Sequence, residues 1–125
     1  MRIAFVLLLA ACTNHASWLT SSRVLQDGVD ETNDDCRTGP CPHDENTDLT
    51  IFDGATFLVH RTAESQVLGP NSSLRVYRSD DHGGTWTLLA IIPAPDDRDL
   101  RDPSFYVDAT GALALSLSVR FFLAP

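Results

Sequence analysis

The chain has 125 residues, a formal net charge of -8 and 43% hydrophobic residues, which suits one small globular unit or a piece of a larger one. All nine basic residues are arginines and they do not cluster, so the composition argues against a nucleic-acid surface. A carbohydrate or another neutral or weakly anionic partner is compatible with this charge. We expect no cofactor, and the four histidines do not have metal-ligand spacing.

Residues 1–12 have the pattern of an export signal. Arg2 precedes the short apolar run Ile3–Ala11, which is too short to span a bilayer. The sequence LAAC at Leu9–Cys12 resembles the lipobox of bacterial lipoproteins. Lipidation of Cys12 would anchor the mature protein to a membrane, in the periplasm or at the outer-membrane surface. The alternative is an ordinary secretory signal cleaved near Ala16, which leaves a secreted protein.

Residues 13–47 are predicted to be an acidic, disordered linker, because hydrophobic periodicity is nearly absent and acids predominate. If Cys12 carries lipid, Cys36 and Cys41 are left as a disulfide pair in an oxidising compartment, with two free thiols as the alternative. The run Asp27–Cys36 faintly resembles aspartate-rich calcium loops. A charged spacer is the interpretation we favour, since the ligand order of an EF-hand is absent.

Residues 48–92 change to short apolar segments separated by turn residues, which indicates an antiparallel all-β unit. A hairpin turn is predicted at Asp53-Gly54, because both residues tolerate positive φ. Four strands in an up-and-down meander form the repeating blade of a β-propeller. The predicted strands are Asp48–Phe52, Thr56–Thr62, Ser73–Ser79 and Thr85–Ile92.

Residues 93–125 repeat the beginning of this pattern. A polar connection leads to predicted strands at Asp102–Val107 and Ala112–Phe122, with a turn at Asp108–Gly111 between them. The fold class is therefore all-β, a fragment of a β-propeller with one complete four-stranded blade and half of a second.

The octapeptide SDDHGGTW, from Ser79 to Trp86, lies between the third and fourth predicted strands. It matches the Asp-box pattern of the sialidase superfamily at five constrained positions: Ser79, Asp81, Gly83, Thr85 and Trp86. An aspartate accepts backbone N–H groups of such a turn, glycine adopts a conformation closed to other residues, and tryptophan packs a large ring on the blade. In this superfamily the motif is structural and lies away from the ligand site.

Residues Thr47–Val119 resemble the opening of sialidase-like Asp-box (BNR) repeat proteins of bacteria. The resemblance implies a propeller of about six blades, of which this chain is an N-terminal, truncated part. It also implies a glycoside hydrolase acting on terminal sialic acids, with an arginine triad on the sugar carboxylate and a tyrosine nucleophile. The nucleophile would lie in later blades, and Tyr77 and Tyr106 are interpreted as core residues. No residue of this chain is assigned a catalytic role.

Four residues are candidates for substrate binding. Arg101-Asp102-Pro103 is the nearest counterpart of the family's Arg-Ile-Pro motif, although the middle residue differs and the two charged residues could pair with each other or with the blade entry. Arg61 ends a strand at which relatives place an arginine facing the ligand funnel; an exposed charge beside His60 is the alternative. Asp48 holds the equivalent entry position of the first blade. A non-catalytic propeller that binds glycans or proteins at the cell surface is the alternative function.

Overall fold

The computed structural model describes residues 35–67, 69 and 71–121, so the export signal, the lipobox Cys12 and most of the possible calcium-binding run lie outside the described residues. Within this part the chain forms strands without a helix, and none of it is a helical segment long and apolar enough to cross a membrane. The strands are β1 (His43–Phe52), β2 (Ala55–Ala63), β3 (Ser73–Ser79), β4 (Thr87–Pro93), β5 (Arg98–Val107) and β6 (Leu113–Phe121).

The first four strands form one antiparallel sheet in the order β1-β2-β3-β4, and β5 and β6 form a separate antiparallel pair. Each strand of the larger sheet pairs with its neighbour in sequence, which is the up-and-down connectivity of a propeller blade. The predicted fold class, all-β with one four-stranded blade and half of a second, is confirmed.

The turn between β1 and β2 is the one that the sequence predicts. Asp53 has a φ of 48° and Gly54 a φ of 77°. Positive φ at both central residues is the signature of a turn whose twist matches that of the two strands it joins.

Two strands begin several residues earlier than predicted, and each contains a β-bulge. β1 begins at His43 instead of Asp48, with its register shifting between Glu45 and Asp48. β5 begins at Arg98 instead of Asp102, with its register shifting between Arg101 and Ser104. A bulge interrupts the alternation of side chains, and it tolerates a proline such as Pro103. The alternating apolar pattern therefore predicted only the part of each strand that follows its bulge.

Two other strands begin later than predicted, because the preceding carboxylates take the backbone N–H groups that would extend them. Thr85 donates its N–H to Asp81 Oδ1 at 2.8 Å, and β4 begins at Thr87. Ala112 donates its N–H to Asp108 Oδ1 at 3.0 Å, and β6 begins at Leu113.

The predicted linker 13–47 is corrected at its C-terminal end, where residues 36–41 pack on the first sheet. Cys36 and Cys41 form a disulfide and both are buried. Ser73 Oγ donates to the Cys36 carbonyl oxygen at 2.6 Å, and the Cys41 N–H donates to Thr62 Oγ1 at 2.8 Å. The acidic composition suggested a solvated segment, but the two hydrogen bonds attach residues 36–41 to β2 and β3, and residues 43–47 belong to β1.

A small hydrophobic core lies between the two sheets. Val59 of β2 and Leu74 of β3 pack with Ala94, which follows β4, and with Leu100 of β5. Partly buried side chains extend this cluster along both sheets: Val76, Ile92, Phe105 and Leu115. The core therefore joins the complete blade to the half blade. The candidate site consists of residues that flank this core.

Candidate functional site

The Asp-box residues form a closed turn between β3 and β4. Asp81 Oδ1 accepts the Thr85 N–H at 2.8 Å and the Ser79 hydroxyl at 2.7 Å, while Asp81 Oδ2 accepts the Thr85 hydroxyl at 2.8 Å. Ser79 Oγ in turn accepts the Gly83 N–H at 2.7 Å. The Thr85 backbone N–H and the two hydroxyls lower the pKa of Asp81 to about 2, because each of these bonds favours the charged carboxylate.

The glycine positions of this turn have a steric reason. Gly83 has a φ of 94°, a conformation that residues with a side chain rarely adopt. A Cβ on Gly84 would lie 2.9 Å from Asp81 Oδ2, so a side chain there would displace the carboxylate. His82 is exposed and has a φ of 58°, so it is a solvent-facing residue of this turn.

A second aspartate turn, at the predicted turn Asp108–Gly111, joins β5 to β6. Asp108 Oδ1 accepts the Thr110 hydroxyl at 2.6 Å, the Thr110 N–H at 2.8 Å and the Ala112 N–H at 3.0 Å. These bonds, that from the Thr110 hydroxyl first, lower the pKa of Asp108. This turn closes the first hairpin of the half blade, whereas the Asp-box joins the third and fourth strands of the complete blade. The two turns therefore occupy different positions in their units.

The two candidate arginines meet at one buried carboxylate. Arg61 donates from Nε and Nη2 to the two oxygens of Asp99, both at 2.9 Å, and Arg101 donates from Nε to Asp99 Oδ2 at 2.7 Å. The side chains of Arg61 and Asp99 are 0% exposed, and that of Arg101 is 10% exposed. Together with Glu45, whose carboxylate accepts from Arg61 Nη1, they form what we call the arginine cluster.

Asp99 stays ionised in this cluster. Burial opposes its charged form, but hydrogen bonds from Arg61, Ser72 and Arg101 outweigh burial, so the pKa of Asp99 is lowered. Two guanidinium groups against two carboxylates leave the cluster balanced in formal charge. A buried group of charges needs such balance, because the attraction between opposite charges offsets the cost of removing them from water.

Arg101 also binds the β2–β3 connection. Arg101 Nη2 donates to the carbonyl oxygens of Gln66 and Val67 at 2.6 and 2.9 Å, which ties the β2–β3 connection to β5. Gly69 in this connection lies against the cluster, and a Cβ there would clash with Arg61 Nη2. The loop therefore covers the arginines.

This geometry corrects the expected positions of both arginines. Arg61 neither faces an open funnel nor extends as a surface charge beside His60, because Asp99 and Glu45 bind it inside the structure. Arg101 pairs with Asp99, two residues away on the same strand, and not with Asp102. Asp99 and Glu45 were not among the residues predicted for this site. The spacing Asp99-Leu100-Arg101 was the available signal for Asp99, since residues two apart share one face of a strand.

The two candidate aspartates lie at the junction of β1 and β5. Asp48 Oδ2 accepts the Phe105 N–H at 2.7 Å and the Ser104 hydroxyl at 3.3 Å. Asp102, which is exposed, accepts the Asn46 side-chain amide at 2.7 Å and the Ser118 hydroxyl at 2.9 Å. Both carboxylates therefore link the half blade to other strands, and only Asp102 presents its side chain largely to solvent.

The described part of the chain contains no group of three histidine, cysteine, aspartate or glutamate side chains arranged to hold a metal ion. What the site can do chemically follows from the residues above: it contains a neutralised, buried ion network, and Asp102 is the one candidate carboxylate that is exposed. No protein-family model, curated protein or solved structure matches this chain.

Proposed function

We propose that this chain supplies the first blade and the start of the second blade of an exported, lipid-anchored, sialidase-like propeller. In this proposal the present blades form a scaffold next to a surface that binds glycans or proteins outside the cell, and they take no part in catalysis. The Asp-box supports the resemblance, since its three polar constrained residues and Gly83 are joined by hydrogen bonds in one turn.

The observation that carries the scaffold role is the bidentate bond between Arg61 and Asp99. A guanidinium clamps a ligand carboxylate through a pair of parallel N–H donors. In Arg61 that pair already holds Asp99, and a ligand would have to break a buried ion pair to take its place. Arg101 has the same constraint at its Nε.

Glycan binding can be tested with the full chain on an array of matched sialylated and desialylated glycans. We expect the parent chain to bind glycans on the array. The Asp102→Asn variant should bind the same glycans more weakly, because Asp102 is the candidate with an exposed carboxylate. Glu64→Gln is the matched control, since Glu64 is also exposed. A folded chain that binds no glycan, or whose binding is equally reduced by both substitutions, would contradict the glycan-binding proposal.

A sialidase is the second candidate, and the Asp-box together with Arg101-Asp102-Pro103 favours it. Its test is hydrolysis of a fluorogenic sialoside by the full chain and by the longest open reading frame that contains it. Turnover by the full chain that Arg61→Lys abolishes without unfolding the protein would replace the scaffold role with a catalytic one.

A further inference from the structure

Residues Cys36–Glu45 form one continuous segment that is attached to β3 and β2, and we call this segment the strap. Its first half is the loop that the disulfide between its two cysteines closes. Its second half is the start of β1, where His43–Glu45 pair with Arg61–Ala63 of β2. The strap ends where the register of β1 shifts at its bulge.

The end of the strap supplies two carboxylates to buried side chains of β2. Glu45 accepts a hydrogen bond from Arg61 Nη1, and Asp44 Oδ1 lies 3.2 Å from His60 Nδ1. The side chains of Arg61 and His60 are 0% and 3% exposed. Glu45 is one of the two carboxylates that balance the arginine cluster. Lifting the strap would therefore leave two guanidinium groups with one carboxylate between them.

The contacts that hold the first half of the strap begin at the disulfide. The hydrogen bonds to β3 and β2 are made by the backbone of the cysteines themselves, through the Cys36 carbonyl oxygen and the Cys41 N–H. A further contact joins Arg37 Nη1 to Asp96, in the connection between β4 and β5, at 2.9 Å. Because the Asp96 side chain is 95% exposed, water competes with this ion pair and its contribution is small.

The disulfide fixes the spacing of the two backbone anchors. Both cysteines are fully buried, and two thiols need more space than two bonded sulfurs, so reduction crowds the packed space under the strap. The loop also regains backbone freedom, which two hydrogen bonds offset only in part. Lifting should stop at the bulge, because the Asn46 side chain there donates to Asp102 of β5 at 2.7 Å.

We propose that the disulfide is a redox lock on the strap, and that a dithiol reductant opens it, so that Glu45 leaves Arg61. One thiolate of the dithiol attacks a sulfur of the disulfide, and its second thiol then displaces the mixed disulfide. The dithiol is oxidised to a disulfide, and its two electrons and two protons convert Cys36 and Cys41 to thiols. Because both sulfurs are buried, the attack requires a lifted strap, and lifting limits the rate of reduction.

The first test compares amide hydrogen exchange in the full chain before and after reduction by dithiothreitol, measured by mass spectrometry. We expect the amides of His43–Glu45 and Arg61–Ala63 to exchange at least about tenfold faster in the reduced chain. The part of the same strand pair that follows the bulge, Leu49–Phe52 with Ala55–Leu58, is the internal reference and should not change.

The second test measures how fast dithiothreitol reduces the disulfide in the full chain and in a Glu45→Gln variant. This substitution should speed reduction at least about tenfold, because the strap loses its charge-assisted hydrogen bond to Arg61. Glu64→Gln is the matched control, since it makes the same change at an exposed position, and it should be reduced at the parent rate. Asp81→Asn weakens the Asp-box and leaves the strap intact, so it separates lifting of the strap from unfolding of the whole chain.

Three outcomes would overturn the proposal. One is a folded Glu45→Gln chain that is reduced at the parent rate. Another is an Asp81→Asn chain that is reduced as fast as the Glu45 variant, because the disulfide would then open only by global unfolding. The third is hydrogen exchange that accelerates equally on both sides of the bulge, or on neither side, after reduction.

Discussion

Asn46 and Asp102 face each other across the junction of β1 and β5, and the Asn46 amide donates to Asp102 Oδ1 at 2.7 Å. Both residues have left-handed backbones, with φ of 53° and 51°, and each lies in the bulge of its strand. Asparagine and aspartate tolerate this conformation better than other residues with side chains. One hydrogen bond therefore joins two bulges that belong to different sheets.

We expect Asp102→Ala to lower the free energy of unfolding by about 1–2 kcal/mol, because it removes this bond and places alanine at positive φ. Denaturant unfolding followed by circular dichroism measures the change. Asp102→Asn keeps both the acceptor and the backbone preference and should be near neutral. Equal losses in the two variants would contradict the role assigned to the bulge.

Asp81 should make the stability of the Asp-box depend on pH in a narrow acidic range. Its pKa in the folded protein is about 2, below the ordinary 3.8, so the ionised form stabilises the fold. That contribution is complete above about pH 4 and is lost as the pH falls through about 2. Asp81→Asn should therefore flatten the pH dependence of the unfolding midpoint in this range. The neighbouring Asp80→Asn is the control, and a parent-like slope in the Asp81 variant would refute the prediction.

The ion pair between Arg61 and Asp99 should be far more sensitive to loss of one partner than to loss of both. Asp99→Asn leaves Arg61 without a full counter-charge and should cost about 3–5 kcal/mol, whereas the Arg61→Met/Asp99→Leu double variant should cost less. The midpoints of chemical unfolding measure this difference. Strictly additive losses would show that the two side chains are energetically independent.

The disulfide between Cys36 and Cys41 should stabilise the fold through the unfolded chain. The two cysteines are five positions apart, and closing so short a loop corresponds to about 2 kcal/mol in the chain-entropy model. The Cys36→Ser/Cys41→Ser variant and the reduced parent should therefore lose similar amounts of stability. A variant as stable as the oxidised parent would contradict this expectation.

Lipidation at Cys12 can be tested by palmitate labelling in a bacterial host. The parent should incorporate label and sediment with membranes, whereas Cys12→Ser should do neither, because the acyl chains provide the membrane affinity. Substitution of Ala16 by aspartate is the complementary control, since it affects cleavage only if an ordinary signal peptidase acts there. An unlabelled, soluble parent that begins near residue 17 would favour the secretory alternative.

The sequence was sufficient to predict the sheet order and the Asp53-Gly54 turn, because both depend on local patterns of apolar and turn residues. It was not sufficient to place the starts of β1 and β5. The bulges at Asn46 and Asp102 reverse the alternation from which strands are read, and they are stabilised by a contact between residues 56 positions apart.

The sequence indicated Arg61 and Arg101 as substrate-binding candidates, but it did not predict that both would bind Asp99. Asp99 is remote from Arg61 in sequence, and only the packing of β5 against the first sheet brings the two together. The burial of His60 and Arg75 was not predictable either, because a polar residue that alternates with apolar neighbours on a strand is expected to face solvent.

The sharing of Asp99 by Arg61 and Arg101 has a consequence for how such chains diverge. A substitution at any one of these three positions leaves a charge that its neighbours cannot neutralise, and no single replacement restores the balance. Related sequences should therefore keep or lose the three residues together. Covariation of these positions would then indicate the contact between β2 and β5 even where the surrounding loops differ in length.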